Sequence, residues 1–166
     1  MKKVMLIVFM SLLSAGLFAQ SPIGDGGKQI NIGTGFSTWG IPLYAGMDFG
    51  VHPDITVGFN VSYRSYSHRW SADDYRLNVL GLFANGNYHF NTLLNIPQEW
   101  DLYAGLSLGF VSVSAPSAYK GGTVSGLGLD LQIGGRYYWN DRWGVNLEFG
   151  GGNAASGARI GVSYVL

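Results

Sequence analysis

The chain has 166 residues, among them 26 glycines and no cysteine, with 14% aromatic and only 12% charged side chains, ten basic against ten acidic. Many aromatics with few charges exclude a disordered chain. Zero net charge without a basic block excludes an electrostatic nucleic-acid footprint, and the missing cysteines exclude disulfides, thiolate metal sites and a cysteine nucleophile.

The N-terminus reads as an export signal. Lys2 and Lys3 form a short positive region, Val4 to Leu13 an apolar stretch, and Gly16-Leu17-Phe18-Ala19 a cleavage site before Gln20. The apolar run is shorter than the roughly 20 residues a bilayer-spanning helix needs. Removal of residues 1–19 leaves eight basic and ten acidic residues, because Lys2 and Lys3 depart with the signal.

No later stretch is apolar for the roughly 18 residues of a membrane helix. Period-2 alternation fills the remainder of the chain instead, interrupted by clusters of Gly, Pro, Asn, Asp and Ser, in eight segments. Gln29 to Ser37 sets Ile30, Ile32, Thr34 and Phe36 on one face, and Leu43 to His52 does the same with Leu43, Ala45, Met47, Phe49 and Val51. Ile55 to Arg64 alternates Ile55, Val57, Phe59, Val61 and Tyr63 with Thr56, Gly58, Asn60, Ser62 and Arg64. The fourth segment, about Arg76 to Phe90, opens out of phase, since Leu77 and Val79 precede Leu80, and this predicts a bulge. Asp101 to Val113, Gly126 to Trp139, Trp143 to Gly151 and Ala158 to Leu166 complete the series.

One phase is apolar throughout, with Thr34, Gly86 and Gly135 as exceptions and no charge. The other is glycine-rich and holds Asp48, Arg64, Asp101, Asp130, Arg136, Glu148 and Arg159. A soluble lipocalin-like ligand-binding barrel puts its apolar phase inside, but its exterior then needs a quarter or more of charged residues. The polar phase here has no lysine, and the interior of an eight-stranded barrel is only just wide enough for side chains to fill. Leaving the apolar phase in water would forfeit on the order of 50 kcal/mol, at roughly 1.5 kcal/mol or more per large side chain, against the roughly 5–15 kcal/mol of a typical fold. The apolar phase therefore faces hydrocarbon. Bilayers admit only helices and closed barrels, so the expected fold is all-β: an eight-stranded antiparallel up-and-down transmembrane β-barrel with a polar, side-chain-filled interior. The expected division is a signal peptide (1–19), a periplasmic N-terminal tail (20–28) and an outer-membrane barrel domain (29–166).

Loop lengths and aromatics orient it. The connections His52 to Asp54 and Asn140 to Arg142 are short, those at Ser65 to Tyr75, Ser114 to Ser125 and Gly152 to Gly157 longer, and only Asn91 to Glu99 breaks the alternation. Short turns face the periplasm in outer-membrane barrels. That placement gathers Tyr88, Phe90, Trp100, Tyr137, Trp139, Trp143 and Tyr164 into a periplasmic aromatic girdle, with Phe36, Trp39, Tyr63, Phe110 and Phe149 in the other.

The stretches Gly86-Asn87-Tyr88-His89-Phe90 and Trp100 to Phe110 resemble the central strand-turn-strand of small eight-stranded outer-membrane barrels. These are the OmpA membrane domain, OmpX and the opacity-type surface proteins, and the pattern covers nearly all of residues 29–166. The resemblance implies residence in a Gram-negative outer membrane, contact with its lipid, and insertion by the barrel-assembly machinery. Members commonly end in an aromatic residue as part of an assembly signal, whereas this chain ends in Tyr164-Val165-Leu166.

Charges inside a barrel persist only when paired. With Trp139 opposite Trp143, and Phe149 opposite Ile160, Glu148 lies diagonal to both Arg136 and Arg159, so a cluster of these three is expected. Asp48, Asp101 and Asp130 then balance Arg64 and Arg76. Such a network reads first as a plug and second as a small gated channel. No catalytic, cofactor or metal site is expected. His52 and His89 sit on the inner face near periplasmic ends, where a hydrogen-bonded filler is the simplest role, and His68 is the one candidate for a lipid-modifying or esterase-like activity. Gly121-Gly122 and Gly150 to Gly152 belong to no strand-loop-helix phosphate motif, and Asn60-Val61-Ser62 is a sequon inside a membrane strand. Function is expected at the outer loops, where Tyr66, His68, Arg69, Trp70, Asp73 and Asp74 suit contact with a partner or sugar headgroups. The expectation is a noncatalytic outer-membrane barrel with a structural or surface-interaction role.

Overall fold

The computed structural model describes residues 22–38, 40–70, 73–123, 125–153 and 156–166. The expected signal peptide and Trp39 lie outside them. Eight strands run in chain order: β1 (Lys28–Ser37), β2 (Leu43–His52), β3 (Ile55–Trp70), β4 (Asp73–His89), β5 (Trp100–Ser114), β6 (Gly126–Tyr138), β7 (Trp143–Gly152) and β8 (Gly157–Val165). Each pairs antiparallel with the next, and β8 returns to β1 to close the barrel. Closure gives every strand two ladders and leaves no sheet edge along the barrel wall.

The alternation resolves as the hydrocarbon argument requires. Leu106, Leu131 and Val162 point outward with 53%, 65% and 41% of their surface exposed, and the outward positions between the two ends of the barrel carry no charge among the described residues. Asp48, Asp101 and Arg136 point to the axis and are buried. The conventional core is inverted, since the buried interior is mostly polar. Glycine makes the room: a Cβ on Gly134 would fall 2.4 Å from the Tyr103 ring.

Two expectations are corrected. The ladder between β3 and β4 runs unbroken from Ile55↔Tyr88 to Trp70↔Asp73, so the predicted bulge at the start of β4 is absent. Leu77 and Val79 are instead buried inside, where Val79, Phe83 and Val111 form a small apolar cluster with Tyr66 and Val113. The phase never breaks; the inner face turns apolar near its outer end. The register shift falls in β2, between Gly50 and His52, and leaves His52 exposed rather than lumenal. Second, Ser65 to Tyr75 is not a long loop. The β3–β4 hairpin continues through six more pairs, from Ser65↔Asn78 to Trp70↔Asp73, beyond the point where β2 stops pairing at Tyr63.

At the opposite end, Asn91 to Glu99 contains a helical turn, α1 (Asn91–Leu94), stopped by Asn95 in the left-handed region. Thr92 Oγ1 donates to Asp54 Oδ1 at 2.5 Å, tying this connection to the β2–β3 turn. Residues 22–27, expected as part of a periplasmic tail, form turns packed against the barrel mouth. Gly26 N–H donates to Gly50 O and Gly50 N–H to Gly27 O, both at 2.9 Å, and Ile23 is buried. Gly50 is required there, because a Cβ would lie 1.7 Å from the Gly24 carbonyl oxygen.

Candidate functional site

The densest polar chemistry is a layer across the lumen near the short-turn end. Arg136 on β6 is register partner to Asp101 on β5, and its Nη1 donates to Asp101 Oδ2 at 2.8 Å. Its Nη2 crosses the lumen to Asp48 Oδ2 on β2 at 2.9 Å. The guanidinium carbon stands 4.2 Å from the Tyr103 ring centre. Asp48 accepts further from Asn31 Nδ2 and Asn85 Nδ2, both at 2.9 Å. A guanidinium suits this duty because its planar fork reaches two carboxylates at once and stacks on an aromatic face.

A second chain leads away from Asp101. His89 Nδ1 lies 2.7 Å from Asp101 Oδ1, and His89 Nε2 lies 3.0 Å from Thr56 Oγ1. Hydroxyl, imidazole and carboxylate in sequence make the constellation that activates a nucleophile. All three side chains are buried, and the hydrogen bonds tie β3, β4 and β5 together across the inner face.

The expected cluster around Glu148 splits in two. Arg136 turns to Asp48 and Asp101, while Glu148 keeps Arg159 (Nε to Oε1, 3.2 Å) and accepts from Tyr103 Oη at 3.0 Å. Arg136 stays opposite Asn146 and diagonal to Glu148 as expected, but Asp101, its direct register partner, and Asp48 take its guanidinium. Phe149 pairs with Ala158 rather than Ile160, which brings Arg159 directly opposite Glu148. Arg64 Nη1 donates to Ser37 Oγ at 3.0 Å and lines, with Asp130 and Arg159, a space nearer the outer mouth. Arg76 is exposed on the outward phase and takes no part in the lumen. The space between the Arg136 layer and Arg159 offers about 40 Å³, room for a few waters.

The outer end is organised by the hairpin extension. Tyr66, His68 and Trp70 lie on its inner side, and Tyr119 from the β5–β6 connection packs edge-on against His68, Trp70 and Tyr75. Its ring centre is 6.0 Å from His68, 5.9 Å from Trp70 and 5.3 Å from Tyr75. Arg69 and Asp74 pair on the other side through two contacts of 3.1 and 3.4 Å, both side chains exposed. Asp73, the register partner of Trp70, is exposed. Tyr75 and Tyr119 are absent from the sequence-based set; the alternation Tyr66, His68, Trp70 carried the signal for a strand, masked by the neighbouring charges.

At the short-turn end, outward aromatics meet in pairs: Tyr88 with Phe90 at 5.3 Å, Trp100 with Tyr137 at 4.8 Å and Trp143 with Tyr164 at 4.6 Å. Trp139 is exposed beside them. Phe36, Tyr63, Phe110 and Phe149 are exposed on the outward face toward the other end.

No family model matches the sequence, and no curated protein matches it. Solved structures do match. The outer membrane protein OprG of Pseudomonas aeruginosa aligns with a TM-score of 0.63 at 10% identity, over 88% of this chain and 99% of that one. The N-terminal barrel domain of OprF from the same organism gives 0.55 at 15% identity, over 86% and 99%. Ail, the attachment invasion locus protein of Yersinia pestis, solved with the heparin analogue sucrose octasulfate, gives 0.57 at 14% identity, over 86% and 99%. A de novo designed transmembrane β-barrel gives 0.56 at 15% identity, over 86% and 97%. At these identities the likeness establishes the fold, that of the small eight-stranded outer-membrane barrels.

Proposed function

We propose that this chain is an integral protein of a Gram-negative outer membrane, exported by a cleaved signal peptide. It acts without chemistry, as a sealed scaffold that presents the β3–β4 hairpin and the β5–β6 connection to a surface ligand. The observation that carries this reading is the uncharged apolar belt around the whole circumference, enclosing charged residues that are buried at the axis. Water cannot solvate that belt without a large loss of stability, and lipid can. The sealed lumen supports a plug over a channel, because one guanidinium layer spans it from β2 to β6. The hairpin supports the interaction role, since its exposed Trp70, His68 and Arg69 stand on a packed aromatic base rather than on a free loop. Ail, a barrel of the same fold solved with a sulfated saccharide analogue, lends support to a ligand of that class.

The test is cellular. Produced in a Gram-negative host, the protein stays in the membrane pellet after alkaline carbonate, migrates faster unheated than heated on gels, and is cut by trypsin at Lys120 in intact cells. Release by carbonate overturns the reading.

A further inference from the structure

The rim at the short-turn end is electrically uneven. Asp54 and Glu99 occupy the β2–β3 and β4–β5 connections, Asp141 precedes Arg142 in the β6–β7 turn and Asp25 lies three residues before Lys28; Lys28 and Arg142 are the only lysine and arginine there among the described residues. Both flank a single strand. The Leu166 N–H donates to Lys28 O at 2.9 Å on one side of β8, and the Val165 N–H donates to Arg142 O at 2.8 Å on the other. Two strand spacings separate their backbones by about 10 Å, a gap that two long side chains close over a phosphate.

Both cations look outward. Lys28 shares the phase of Ile30 and is exposed. Arg142 is exposed and its Nη1 lies 3.4 Å from Tyr164 Oη, which draws the guanidinium onto the outer surface of β8. The Asn140 side chain fixes the turn that carries it, accepting from the Arg142 and Trp143 N–H groups at 2.9 and 2.8 Å. Neither cation has an acidic partner among the described residues. Between them the Trp143–Tyr164 pair sits where amphipathic rings meet headgroups, and beyond it Val162, Ile160, Val145 and Ile32 form an uninterrupted apolar track.

We propose that Lys28 and Arg142 clamp the phosphate of one inner-leaflet phospholipid at the base of β8, with Trp143 and Tyr164 against its glycerol region and its acyl chains along the apolar track. This rests on the membrane reading above. The clamp places a lipid against the seam where the first and last strands close the barrel.

The experiment uses the full protein purified in detergent, with wild type, Lys28→Gln, Arg142→Gln and the double variant each confirmed as folded by heat-modifiable migration. Native mass spectrometry measures retention of phosphatidylglycerol and of diacylglycerol with the same chains. Wild type retains one phosphatidylglycerol in preference to diacylglycerol, each single change weakens retention about fivefold and both together about thirtyfold, and Lys28→Arg with Arg142→Lys restores it. Equal retention by the double variant, equal retention of diacylglycerol, or an equal loss in Arg76→Gln at the far end overturns the clamp. A protein that survives carbonate yet retains no phospholipid overturns the clamp alone; one released by carbonate overturns both it and the membrane reading.

Discussion

Arg136 is the residue on which the lumen's charge balance turns. It holds two carboxylates, Asp48 and Asp101, with 3%, 5% and 0% of the respective side chains exposed. Removing one partner of a buried ion pair strands the other charge, at a cost of roughly 3–5 kcal/mol. Arg136→Met is expected to lower the unfolding free energy by that amount, read by guanidinium titration in detergent, and Arg136→Lys by less, because an ammonium keeps the charge and loses the fork. Arg159→Ala is expected to cost about 1 kcal/mol or less, since Arg159 and Glu148 sit in a wetter part of the lumen. Equal losses at the two arginines contradict this ranking. The lumenal charges were legible from alternation alone, and so was the Glu148–Arg159 pair; the partners of Arg136 were not. The Glu148–Arg159 register depends on how many residues the β7–β8 connection keeps out of the ladder. The Arg136–Asp48 bond joins β6 to β2, a contact created by closure rather than by any hairpin.

Among the elements, the β3–β4 hairpin and the N-terminal turn depart most from expectation, for opposite reasons. The hairpin is longer because its inner side finds aromatic partners, chiefly Tyr119, and tilted or edge-on aromatic contacts are worth about 0.5–1.5 kcal/mol each. Tyr119→Ala is expected to free the β5–β6 connection, speeding tryptic cleavage at Lys120 while leaving the melting of the barrel unchanged. Unchanged cleavage means that the connection is held elsewhere. The N-terminal turn is ordered because Gly50 leaves its backbone uncovered. Gly50→Val is expected to lift residues 22–27 off the mouth, seen as faster amide hydrogen exchange at Gly26 with the β3–β6 ladders still protected. Neither contact is periodic in sequence, which is why strand patterning found the eight strands and missed both attachments.

For the whole molecule, the governing fact is that the solvent outside is hydrocarbon and the barrel is inside out. Period-2 patterning suffices to specify that, and a designed barrel with no inherited role shares the fold at 15% identity. The same patterning says nothing about a ligand, because the belt answers to the bilayer and the hairpin tip to whatever lies above it. Depth gives the belt a quantitative test. Leu106 is the middle outward residue of β5 and Phe110 stands four positions nearer the outer end, both half exposed. In water an arginine at either site relieves exposed apolar surface, and the two variants should behave alike. In a bilayer the cost follows depth, about 2–4 kcal/mol at the midplane and about 0–1 kcal/mol near an interface. Leu106→Arg is therefore expected to destabilise folding into phosphatidylcholine vesicles by about 2–4 kcal/mol and Phe110→Arg by about 1 kcal/mol, measured by guanidinium titration of tryptophan fluorescence. Equal costs at the two depths, or a gain at Leu106, place the belt in water.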